Sequence, residues 1–129
     1  MAISIVRLGS PRARGEGPRL GTVRRPPRGV RKSDYAKRNF YDAWLPALSP
    51  TAELIADTGI LHDRSRWTAF ARRFESELKR PDASHLLDAL ATLSHTSDFA
   101  IGCYCEDEAF CHRSILRNVL AARGASIRS

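Results

Sequence analysis

The stretch Phe99–Arg123, FAIGCYCEDEAFCHRSILRNVLAAR, restricts the possible folds more than any other part of the chain. Phe99, Ile101, Cys103 and Cys105 alternate with Ala100, Gly102 and Tyr104, the period-2 pattern of a strand with two distinct faces. Ile115, Leu116, Val119 and Leu120 then recur at helical spacing, and Gly124 supplies a C-terminal stop. All three cysteines of the chain fall inside this unit, and Cys111 is followed at once by His112 and Arg113. The reading is strand, acidic loop, helix, with Cys-His-Arg at the helix entrance.

A strand that feeds a helix needs partners. Ile3 to Leu8 is a short apolar run closed by Gly9-Ser10-Pro11, and Arg19 to Val23 is a second candidate strand closed by Arg24-Arg25-Pro26-Pro27. Asp34 to Phe40 reads as a short helix behind Ser33, and residues 51–57 as another, ended by Gly59. Asp63 caps a clearer helix in which Trp67, Phe70, Ala71, Phe74 and Leu78 form the apolar stripe, and Pro81 stops it. Ser84 to Leu93 is a further helix leading into the Phe99 strand. Strands near both ends with helices between them predict an α/β fold, a small mostly parallel sheet with helices on its faces. Ala100 and Gly102 would let a helix approach the sheet closely. Trp44, Trp67, Phe70 and Phe74 are assigned to the core, and His62, His85 and His95 to the surface or to caps.

At 129 residues, 43% of them hydrophobic, the chain is read as one domain, 1–129, that needs no structural disulfide. No apolar run approaches the roughly 20 residues of a membrane helix, and ISIV near the N-terminus is too short for a signal peptide's core. An odd number of cysteines gathered in one loop fits a reducing compartment, so a cytoplasmic protein with no membrane association is expected.

The formal net charge of +7 is not spread evenly. Residues 1 to 32 carry nine Arg or Lys against the single acid Glu16, whereas the other 97 residues hold 12 bases and 13 acids. Residues 9–32 thus read as a basic Arg/Pro/Gly-rich arm, and Pro26-Pro27 holds Arg24, Arg25 and Arg28 on a stiff, extended path. Arginine suits planar bidentate contact with phosphate or carboxylate, which points to an anionic small molecule or nucleic acid as partner.

Three chemistries compete for the Cys-His-Arg loop. A helix N-terminus, with His112 and Arg113 adjacent, lowers a thiol's pKa and makes Cys111 a nucleophile candidate, provided Glu106, Asp107 and Glu108 point outward. A metal site of Cys103, Cys105, Cys111 and His112 has the spacing C-x-C-x5-C-H, which matches no standard finger, and it is ranked below the thiol reading. A reversible Cys105–Cys111 disulfide is the third, with Cys103 left as plain core. The thiol reading assigns Cys111 as nucleophile, His112 as base or orienting group, and Glu106 as proton carrier. Arg113, Arg28, Arg24 and Arg25 hold the anion, and Cys105 lines the site.

CYCEDEAFCHRSILRNVL resembles the C-terminal signature of the domain of unknown function 488 family, in which a strand ends in a cysteine and an acid and is followed by Cys-His-Arg at a helix start. Arg28-Gly29-Val30, Trp44-Leu45, Leu48-Ser49-Pro50, Glu53-Leu54 and Glu77-Leu78 extend the likeness to the family's short single-domain branch over nearly the whole chain. The resemblance implies an α/β fold and a polar site at Arg28, Cys105, Glu106, Cys111, His112 and Arg113, with no established reaction. RRPPRGV stands where that branch usually has an aromatic-proline-arginine run. No cofactor or oligomeric state follows from the sequence. The alternatives are a non-catalytic nucleic-acid-binding module using the basic arm, or a metal- or redox-stabilised interaction protein.

Overall fold

The computed structural model describes residues 1–128. Four strands, β1 (Ile3–Arg7), β2 (Arg19–Gly21), β3 (Ala43–Trp44) and β4 (Phe99–Cys103), form one wholly parallel sheet in the order β1-β4-β2-β3. The last strand in sequence is therefore central. It pairs with β1 from Ile3↔Phe99 to Arg7↔Cys103, and with β2 from Arg19↔Ala100 to Gly21↔Gly102. Every residue of β4 is buried, so the alternation read from the sequence does not mark a solvent face; both faces are covered, as in other central parallel strands.

The helices are α1 (Ala52–Thr58), α2 (Trp67–Glu77), α3 (Pro81–Leu93) and α4 (His112–Ala122). Thr51 caps α1, its Oγ1 accepting from Leu54 N, and Gly59 closes the helix with φ +62°, which glycine adopts without strain. All four helices feed one cluster. Leu54, Phe70, Phe74, Leu87, Leu116 and Leu120 meet Ile3, Phe99 and Ile101 from the sheet. The opposite side is covered differently: Val6 and Leu8 pack with Val23, Tyr35, Phe40 and Tyr41 from the loops. Tyr35 and Tyr41 meet edge to face at 5.2 Å.

Several local expectations change. The segment 34–40 is not a helix; a 3-10 turn at Lys32–Asp34 continues into turns, and Asn39 has φ +64°. Pro81 both ends the preceding run and opens α3, where its missing N–H costs nothing. The strand β3 escaped the reading because two residues carry no periodicity. Trp44 lies on this edge strand, 42% exposed, with its indole N–H donating to Val23 O at 2.6 Å, so it is not core. Gly102 does admit a close neighbour, but that neighbour is β1: a Cβ there would lie 2.7 Å from Val6 O and 2.8 Å from Leu8 Cδ2. No helix among the described residues is long and apolar enough to cross a membrane.

Two arginines of the basic arm, Arg19 and Arg12, are built into the fold, while Arg14, Arg24, Arg25, Arg28, Arg31 and Lys32 are exposed. Arg19 is wholly buried, its Nε donating to Glu16 Oε2 at 2.6 Å and its Nη1 to Ser10 O and Asn39 O at 2.8 and 2.6 Å. Burial alone would raise the pKa of Glu16, but the hydrogen bond and charge of Arg19 hold it below the usual carboxylate value. Arg12 pairs with Asp42 at 2.9 Å, and the same carboxylate accepts from Arg19 N at 2.8 Å.

Candidate functional site

In parallel sheets, ligands gather beyond the carboxyl ends of the strands. Here the loops leaving two adjacent strands, β2 and β4, meet over a cavity of about 680 Å³. From the β2 side come Val23, Arg24 and Arg25; from the β4 side come Cys103, Tyr104, Cys105, Cys111 and His112. Ile55, Phe70 and Phe110 add an apolar wall. Such a volume and mixture of linings suit a small-molecule ligand.

Cys111 is the N-cap residue of α4 and is 1% exposed. His112, the first residue of α4, turns back to the sheet, and its Nε2 lies 2.5 Å from Thr22 O. A carbonyl only accepts, so Nε2 carries the proton and Nδ1 presents a lone pair. That Nδ1 lies 3.9 Å from Cys111 Sγ. Burial pushes the imidazole pKa down to about 4; the Thr22 bond favours the charged form and Arg113 opposes it. Neutral at physiological pH, His112 is an orienting group or ligand rather than a ready proton acceptor.

In the structure Cys111 is joined by a disulfide to Cys103, not to Cys105. The Cys105–Cys111 pairing read from the sequence is thus corrected, whereas Cys103 is buried in a core cluster as read, with Cys111 beside it. β4 ends at Cys103, so Tyr104 and Cys105 leave the strand geometry that placed Cys103 and Cys105 on one face. Cys105 is exposed at the cavity rim with its thiol free. Sγ of Cys103, Sγ of Cys111 and a ring nitrogen of His112 all lie within 4.8 Å of one another.

The three acids of the loop do point outward. Glu106 faces Arg7 at 3.4 Å, Asp107 faces Arg64 at 3.2 Å, and Glu108 faces Arg117 at 2.8 Å. Their charge is therefore drawn away from the sulfurs, and Glu106, the expected proton carrier, stands 84% exposed outside the cavity lining. Arg113 is also displaced from its expected role. It is buried, with Nη2 donating to Cys105 O at 2.7 Å, so it ties down the loop instead of facing the cavity. Arg28 is exposed and lies outside the lining as well.

Arg24 and Arg25 do share the cavity with Cys105, Cys111 and His112. Arg24 Nε donates to Pro50 O at 2.8 Å, while its Nη groups form no hydrogen bond or ion pair among the described residues. The Tyr104 hydroxyl donates to Arg25 O at 3.0 Å and ties the two loops together, and burial raises its pKa so that it stays a donor. Phe110, missed in the sequence, forms the outer wall; it meets Trp67 edge to face at 5.8 Å and carries the Arg64 guanidinium over its ring at 4.5 Å. Its only sequence signal was an apolar residue among acids just before Cys111.

Fold and site together define a small parallel α/β protein with a cysteine–histidine cluster at the carboxyl ends of its inner strands. A family model described as the "Active DUF488-N3 subclade" matches residues 3–124, and the chain belongs to that family of domain-of-unknown-function 488 proteins. No curated protein and no solved structure matches the chain.

Proposed function

We propose that this protein binds an anionic small molecule of the nucleotide class in the cavity between the β2 and β4 loops, with the Cys-His cluster at the reacting end. One observation carries this reading: Arg24 and Arg25 line the same cavity as Cys111 and His112, and Phe70 and Phe110 are part of its apolar lining. A flat, apolar base against that lining leaves its phosphate to the guanidinium groups, whose charge-assisted hydrogen bonds are each worth about 1.5–3 kcal/mol. The description of the matched subclade as active agrees with chemistry at this site.

The test is calorimetric titration with adenosine 5′-monophosphate, adenosine and inorganic phosphate. The monophosphate is expected to bind more tightly than either part. Arg24→Ala/Arg25→Ala removes that advantage while leaving adenosine binding unchanged. Equal affinity of the double variant and the parent for the monophosphate would reject the assignment. A nucleic-acid-binding arm has less to support it, because Arg12 and Arg19 are already engaged within the fold.

A further inference from the structure

We propose that Cys103 Sγ, Cys111 Sγ and His112 Nδ1 form a binding site for a soft divalent cation of the zinc class, with its fourth position open to the cavity. The proposal goes beyond the ligand reading and does not depend on it.

Four observations converge. First, the three donor groups lie within 4.8 Å of one another, and thiolate, thiolate and imidazole are the donors zinc prefers. Second, they are held from both sides by regular structure: Cys103 is the last residue of β4, Cys111 caps α4, and His112 begins it. Third, the Nε2–H of His112 is committed to Thr22 O, which aims the Nδ1 lone pair inward. Metal-binding histidines are oriented in the same way, by a carbonyl or carboxylate on the far nitrogen. Fourth, the Cα atoms of Cys103 and Cys111, which the structure joins as a disulfide that must be reduced before both sulfurs can bind an ion, are 7.8 Å apart. Disulfides usually span about 4.4–6.8 Å between Cα atoms. Two sulfurs on one tetrahedral ion stand about 3.8 Å apart for zinc–sulfur bonds of about 2.3 Å, so an ion suits the wider backbone separation.

The surroundings agree. Two thiolates balance a dication, and the nearby carboxylates of Glu106, Asp107 and Glu108 are paired with arginines elsewhere. All three donors line the cavity, so three protein ligands leave the fourth position to water or to a group of the bound molecule. Three protein ligands with an open position are the arrangement of catalytic rather than structural zinc. Cys105, only two residues from Cys103, is outside the set and serves as the internal control.

The experiment uses full-length protein kept reduced, stripped with a chelator, titrated with Co²⁺ and then displaced by Zn²⁺. The expected result is one ion per chain with a thiolate-to-cobalt absorption band, unchanged in Cys105→Ser. In Cys103→Ser, Cys111→Ser and His112→Gln the affinity drops at least 100-fold. Three results would overturn the site: folded wild-type protein with no such band at millimolar Co²⁺, a band that disappears in Cys105→Ser, or reduced protein that still isolates with Cys103 and Cys111 cross-linked. Wild type and Cys105→Ser decide the matter even where a ligand variant does not fold. Nucleotide titration of the metal-free protein is a separate measurement, so the two proposals can fail independently.

Discussion

Arg19 and Arg24 belong to the same arginine-rich stretch, yet they do opposite work. Arg19 commits all three guanidinium nitrogens to the Glu16 carboxylate and to carbonyls of Ser10, Pro11 and Asn39, with no exposure to solvent. Arg24 spends only Nε, on Pro50 O, and remains exposed at the cavity mouth. A run of like charges is thus two populations, divided by where each guanidinium finds acceptors. Arg19 starts β2, so its backbone is locked into the sheet and its side chain must be satisfied inside; Arg24 comes after the strand has ended. The first kind holds the scaffold, and the second is left for a ligand.

The largest expected effect tests the buried half. Arg19→Met leaves the Glu16 carboxylate buried without its partner, and breaking such a pair costs about 3–5 kcal/mol. Urea denaturation should show this loss, with Arg24→Ala staying within about 0.5 kcal/mol of the parent. Equal losses would dissolve the distinction. On the exposed side, Arg24→Ala/Arg25→Ala should weaken adenosine monophosphate binding by about tenfold or more, for which 1.4 kcal/mol suffices. Arg14→Ala, outside the cavity lining, should leave that titration unchanged.

Acid sharpens the contrast further. The pKa values of Glu16 and Asp42 are lowered in the folded protein; burial works against this in both, and hydrogen bonds from Arg19 and Arg12 override it. Their contribution to stability is therefore present above the unfolded values of about 4 and is lost as pH falls through the lower folded ones. Glu16→Gln should be less stable than the parent at neutral pH and approach it below about pH 4 in denaturation experiments. A gap that persists at pH 2 would place the effect in packing instead of charge. The smallest effect is expected for Cys105→Ser, an exposed position where thermal melting should move by no more than about 0.5 kcal/mol equivalent.

Much of the architecture was legible because local patterns and tertiary demands agree. The stripe of Phe70, Phe74 and Leu78, the Thr51 and Gly59 ends of α1, and the strand-to-helix unit around Cys111 all appear where periodicity and capping place them. The site was legible in part. Cys111 and His112 stand at the helix entrance as read, and Arg24 and Arg25 share their cavity. Arg113 and Glu106 were assigned to the site through their neighbours in sequence, but one turns into the protein and the other into solvent. Cys103 was read chiefly as core, where it does lie, but its pairing with Cys111 was given to Cys105 because the sequence pattern continued β4 past its end at Cys103.

The order of residues by itself determined a parallel α/β scaffold and a Cys-His pair at the mouth of its last helix, since hydrophobic period, proline, glycine and cap residues act over a few positions. Only the tertiary structure decided which cysteine joins that pair and which arginines remain available. Those outcomes depend on where β4 stops beside β2 and on which carbonyls happen to surround each guanidinium, distances set between segments up to 90 residues apart, as between Thr22 and His112.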